Sequence, residues 1–204
     1  MIIKFKIFSA IITLIAISYC SLTYCQISSG QYSFGLNLAF NPETNIITGY
    51  FENYSRLEEN TTEPRLSCIF YITGKYDKNV FNINTYSHLT KKGDLIKGKI
   101  QIKDSTTISI ILNEVHKGCW NVQPFSDESV DFSLTTKQKW IEINYIDMDK
   151  AYFYNDKNEN SKKKSFVIKG NIVYIDQIEN NWIHCQYRDK IITEGWLKRQ
   201  SIND

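Results

Sequence analysis

The residues best suited to nucleophilic, acid–base or metal chemistry here are three histidines and five cysteines. His184 and Cys185 are adjacent and invite a Cys/His hydrolase reading. Neighbours on a strand point to opposite faces, so these two cannot act on each other as base and nucleophile. His88 and His116 are brought near Cys185 by no motif, and Glu114 beside His116 is the other acid–base pair to consider. No Cys or His pair has the spacing of zinc ligands. The expectation is therefore no catalytic constellation, no metal and no cofactor, with His88, His116 and His184 as surface residues.

The cysteines divide by position. Cys20 and Cys25 fall in an apolar leader, and Cys68, Cys119 and Cys185 remain. Cys68 precedes Ile69 and Phe70, and Cys119 lies between Gly118 and Trp120, so each sits beside strand-like apolar residues. In an exported chain, Cys68–Cys119 is the expected disulfide, against the alternative of two separate buried thiols. Closing a loop of that size stabilises a fold by about 4 kcal/mol in the chain-entropy model.

The leader itself has three parts. Lys4 and Lys6 are a positive start, Phe8 to Ile17 is an uncharged apolar run, and Ser21 to Cys25 is a short polar end. This reads as a signal peptide over residues 1–25, cleaved before Gln26. Its apolar run is shorter than the roughly 20 residues a spanning helix needs. Leu22-Thr23-Tyr24-Cys25 also permits a lipid anchor at Cys25, although Tyr24 is bulky for that motif. Removing Lys4 and Lys6 from the 24 basic residues leaves 22 against 22 acidic. A neutral chain is poorly suited to nucleic acid, which takes many Lys/Arg contacts to phosphate. The one basic run, Lys162-Lys163-Lys164, lies among Asn and Ser and reads as a solvated loop.

The elements that would position these residues are strands. Tyr and Phe number 13 and 11 among 204 residues, and apolar positions fall two apart rather than at helical spacing. Tyr32, Phe34, Leu36 and Leu38 share one face, and Asn41 to Asn45 is a turn before Ile46 to Phe51. Asn53 to Pro64 is a polar loop, and Ser67 to Thr73 is a strand closed by Gly74. Phe81, Ile83 and Thr85 lie opposite Val80, Asn82 and Asn84; Lys91 to Asp94 is a turn; Ile96, Gly98, Ile100 and Ile102 share a face; Thr106 to Leu112 follows. Gly35, Gly49 and Gly98 read as bends or bulges. The expectation is an all-β chain: an antiparallel meander over 26–137, closed as a barrel or folded as a sandwich. Ser126 to Lys139 reads as a polar connection with room for a short helix, and strand character resumes at Trp140.

The last third carries more specific landmarks. Phe166-Val167-Ile168-Lys169-Gly170-Asn171 is a strand ending in a turn, and Ile172 to Ile175 departs from it. Trp182-Ile183-His184-Cys185-Gln186-Tyr187 follows the turn Glu179-Asn180-Asn181, and Gly195-Trp196-Leu197 closes the series. This ordered set resembles the bacterial SH3-like family over 150–202, with Asn171 where that family usually has Asp. The resemblance implies a small barrel over 138–204, with Cys185 in a slot that Val commonly fills. Alternation independently puts Ile183, Cys185 and Tyr187 in the core, where Cys185 would be an unreactive small hydrophobe.

The resemblance also implies a binding role. Tyr152, Tyr154, Trp182 and Trp196 are the candidate lining of an aromatic groove, with Trp196 the one most suited to a core position instead. The partner would be a peptide, a cell-wall glycopeptide or a protein. The functional expectation is an exported, non-enzymatic binding protein of the periplasm, envelope or exterior, and the alternative is a secreted inhibitor or immunity factor. Asn53-Tyr54-Ser55 and Asn60-Thr61-Thr62 match glycosylation acceptors, which matter only in a eukaryotic secretory pathway.

Overall fold

A computed structural model describes residues 27–55, 66–78, 80–87 and 94–203. The leader with Cys25, the Asn60 acceptor, His88 and the expected turn at 91–93 lie outside the described residues. The described chain is all-β with no α-helix.

Eight antiparallel strands close a barrel in sequence order: β1 (Gly30–Tyr32), β2 (Leu36–Asn41), β3 (Ile46–Tyr54), β4 (Ser67–Asp77), β5 (Val80–Tyr86), β6 (Ile96–Ile102), β7 (Thr107–Leu112) and β8 (Val130–Lys137). Closure comes from β1 pairing with β8 as well as with β2. Alternation drives it: on β5, Phe81, Ile83 and Thr85 turn inward while Asn82 is exposed. Phe51, Phe70, Phe81, Phe125 and Phe132 fill the interior, with Phe51 stacked on Phe70 at 5.1 Å between centroids. Fully burying such a ring is worth about 1.5–3 kcal/mol. Gly98 lies where a Cβ would come within 2.5 Å of both the Ile111 carbonyl oxygen and Leu112 Cδ2, so only glycine lets β6 and β7 approach this closely.

The connection between β7 and β8 folds back over one end of the barrel. It buries His116, Cys119 and Phe125 in the core, and the Leu112 amide donates to the Phe125 carbonyl at 3.0 Å. The disulfide Cys68–Cys119 ties this connection to the start of β4, as expected.

Six further strands make a second antiparallel sheet: β9 (Glu142–Tyr145), β10 (Lys150–Tyr154), β11 (Lys162–Ile168), β12 (Ile172–Glu179), β13 (Trp182–Arg188) and β14 (Ile192–Lys198). Their order is β11-β10-β14-β13-β12-β9. One face carries the core, Phe153, Val167, Val173, Ile175, Ile183, Cys185 and Leu197. After β14 a one-turn 3-10 helix, Arg199–Ser201, leads to a bridge between Ile202 and Ile146. The sheet meets the barrel through β9. Trp140 and Ile143 pack with Ala39 and Tyr174, and the Ile143 amide donates to Thr48 Oγ1 at 2.7 Å. On the outer face of the barrel, cross-strand partners Tyr50, Tyr71 and Tyr86 form a row, and Tyr145 lies on Tyr71 at 4.7 Å.

Four local expectations need correction. Tyr32 to Phe40 is not one strand: Phe34 takes a left-handed φ of 57° in a 3-10 turn, and its ring is 61% exposed. Gly74 does not close β4, which runs on to Asp77 in register with β5. The polar connection after Ser126 holds β8, whose Phe132 enters the core while Asp131 and Ser133 face out. Lys162-Lys163-Lys164 begins β11 rather than lying in a loop.

Candidate functional site

The outer face of the second sheet gathers aromatic side chains. On β13, Ile183 and Cys185 are buried while Trp182, His184 and Gln186 face the other way and are half-buried. Opposite them on β14, Trp196 pairs with His184 across the strands, and Tyr154 of β10 pairs with Trp196. The rings touch edge to face: Tyr154 and Trp182 at 5.0 Å, His184 and Trp196 at 5.2 Å. Such contacts add about 0.5–1.5 kcal/mol beyond area burial. Three of the four expected aromatics thus come together, and His184 joins them. Tyr154 is the most buried of the set, and Trp196 is half-buried on the outer face.

Tyr152 belongs to a neighbouring group on the same face. It packs against Phe166 of β11 at 5.8 Å, with Lys162 Nζ 3.7 Å and Lys150 Nζ 4.9 Å from its ring centroid. Lys150 beside the phenol holds its pKa below the ordinary tyrosine value. Lys150 Nζ also sits 3.8 Å from the Phe166 centroid. Cations over ring faces are the shared theme: Lys157 lies 5.0 Å from Trp196 and Lys198 lies 6.0 Å from Trp182. Both are also ion-paired, Lys157 with Glu179 and Lys198 with Glu159. The Lys198 ammonium keeps the Glu159 carboxyl below its usual range.

His184 has one firm partner. Its Nδ1 lies 2.7 Å from Asp176 Oδ1. An ionised carboxylate only accepts, so Nδ1 donates and a neutral ring keeps Nε2 as acceptor. Asp176 is the extra residue where the register of β12 on β13 shifts between Ile175 and Gln177. Strand alternation gives no sign of such a bulge, and this pair was not foreseen. An Asp–His pair can orient an imidazole as a base, but the adjacent thiol belongs to the opposite face. Cys185 is fully buried, and burial pushes its thiol pKa up, which leaves it protonated and unreactive.

The other acid–base candidates separate. Glu114 is exposed, whereas His116 is buried and is not the surface residue expected. Its ring stacks on Phe70 at 4.7 Å, and Nε2 lies 2.7 Å from Thr85 Oγ1. Thr85 Oγ1 donates its own proton to the Ile96 carbonyl at 3.0 Å, so Nε2 must be the donor to Thr85. Burial lowers the His116 pKa to about 4. The imidazole is a neutral structural member of the core. Among the described residues no group of three or more His, Cys, Asp or Glu side chains is placed to hold a metal ion. Comparison with protein-family models, curated proteins and solved structures finds no match to this chain.

Proposed function

We propose that this chain is an exported, non-enzymatic binding protein. Its terminal sheet, read as an SH3-like module, recognises a peptide, a peptidoglycan fragment or a protein through Tyr154, Trp182 and Trp196. The observation that carries this reading is the outer face itself. The core of the sheet is filled by Phe153, Val173, Ile183, Cys185 and Leu197 without these rings. Trp182 and Trp196 are therefore large aromatic groups that the sheet's own packing does not consume, half-open to solvent beside Tyr154. Aromatic anchors of this kind dominate recognition surfaces. The meander β12-β13-β14, the short 3-10 turn after it and the closing bridge of Ile202 with Ile146 are compatible with the SH3-like resemblance.

The test is Trp182→Ala in the mature protein. It is scored by co-sedimentation with purified cell wall beside an affinity pull-down from whole-cell extract. Loss of a central anchor weakens binding by about 2 kcal/mol or more, roughly thirtyfold, with little change in thermal stability. Trp120, 65% exposed on the barrel connection, is the control whose replacement by Ala leaves binding unchanged. Undiminished binding by Trp182→Ala, or a large fall in its Tm, overturns the reading. A pull-down that recovers one enzyme in stoichiometric amount moves it to a secreted inhibitor or immunity factor.

A further inference from the structure

We infer that β11 accepts an added strand, and that the occupant is an extended acidic segment of a partner protein pairing along residues 162–167. The inference rests on the reading of this sheet as a binding surface and names the chemistry of its partner.

Edges are scarce in this fold. The barrel is closed and has none, and β9, at one end of the second sheet, has its open side against β3 through the bond from Ile143 to Thr48. At the other end, among the described residues, β11 pairs with β10 alone. Its outward-facing N–H and C=O groups are therefore offered to a strand from elsewhere. The Ile168 amide is already taken by Asn171 Oδ1 at 2.9 Å, which bounds the open stretch at its far end.

Lysines commonly guard such an edge by projecting across it. Here they do not. Lys162 and Lys150 lie back over the rings of Tyr152 and Phe166 at 3.7 Å and 3.8 Å. Lys163 Nζ donates to the Glu194 carbonyl at 2.8 Å, on β14. These three are thus held away from the edge, which is also apolar: Phe166 is 46% and Ile168 49% exposed. A soluble chain gains nothing by exposing two large side chains beside an unpaired strand.

Charge selects the occupant. Lys150, Lys162 and Lys164 stand along this face with no acidic residue in β10 or β11. A second copy of β11 would bring lysines onto lysines, which disfavours self-pairing. A strand alternating acidic with apolar residues would set carboxylates near the ammonium groups and apolar side chains near Phe166 and Ile168.

The probes are fluorescein-labelled heptapeptides read by anisotropy against the mature chain: alternating Glu and Val, its Lys counterpart, and the Glu form N-methylated at every second residue. The Glu peptide should bind at least tenfold tighter than the Lys peptide, with affinity falling as salt rises. N-methylation, which removes backbone donors while keeping side chains and charge, should cost at least tenfold. Lys164→Glu should weaken binding at least tenfold with Tm unchanged, and Trp120→Ala, on the barrel connection, should leave it within twofold. Equal affinity for the N-methylated peptide, or equal affinity for an oligothymidylate, overturns strand addition. Loss with Trp182→Ala but not with Lys164→Glu also overturns it, while leaving the aromatic face as the binding surface.

Discussion

The buried imidazole of His116 makes the barrel sensitive to acid by an amount that follows from its surroundings. In the unfolded chain a histidine titrates near 6.5. In the fold, with its ring on Phe70 and Nε2–H donated to Thr85, His116 titrates at about 4 because burial disfavours the charged form. Between those values the unfolded state binds a proton that the folded state refuses, so stability rises with pH across the window and falls on acidification. The loss is about 2 kcal/mol by pH 5 and about 3 kcal/mol by pH 4, where the folded state begins to protonate as well. Above pH 7 this contribution is flat. The assay is urea unfolding at half-unit steps from pH 4 to pH 8, on the natural chain and on His116→Gln, which keeps an amide donor for Thr85 but cannot charge. Carboxylates contribute alike to both, so the difference between the two curves isolates the histidine. Curves that stay parallel from pH 7 to pH 4 would refute the assignment of a neutral, buried His116.

Four other outcomes follow from the same packing. Cys68→Ser with Cys119→Ser releases a 51-residue separation and should cost about 4 kcal/mol in chemical denaturation. Phe51→Ala empties the centre of the ring cluster formed with Phe70, Phe125 and Phe132 and should cost about 3–5 kcal/mol by the same measurement. Gly98→Ala should lower Tm, because the new Cβ meets the Ile111 carbonyl at 2.5 Å. The Cys185 thiol should resist iodoacetamide in the native state and react only on unfolding, as mass spectrometry would read directly.

Most of the barrel was legible because its strands bury one face and wet the other. On β5 and β6, Phe81, Ile83 and Ile100 alternate with Asn82, Lys97 and Lys99, and no other structure suits that period. The disulfide was legible because Cys68 and Cys119 both lie in the first half of the chain, whereas alternation puts Cys185 in the core of the last third. β8 was hidden although Val130, Phe132 and Leu134 keep the period: five of its eight residues are polar, and burying Phe132 against Phe51 is a gain that only the closed barrel supplies. The lysine run of β11 was hidden for a related reason. Of ammonium groups that would oppose a strand in isolation, that of Lys162 lies over the Tyr152 ring and that of Lys163 donates to the Glu194 carbonyl once the sheet forms. His116 was misjudged because its partner Thr85 lies 31 residues away and neither residue is apolar. At the candidate site, alternation put Trp182 and His184 on one face, but the register that brings Trp196 to His184 and the bulge that delivers Asp176 depend on pairing across three strands.

The seam between β1 and β8 has a kinetic consequence. Thr135 Oγ1 reaches the Gln31 carbonyl across 104 residues of chain, so the seam cannot form until nearly the whole first unit has been released. Until then β1 and β7 are raw margins on an incomplete sheet, with Phe51 and Phe70 uncovered, and that interval is when the polypeptide is most prone to clump. Such distant pairing also slows folding relative to domains built from local contacts.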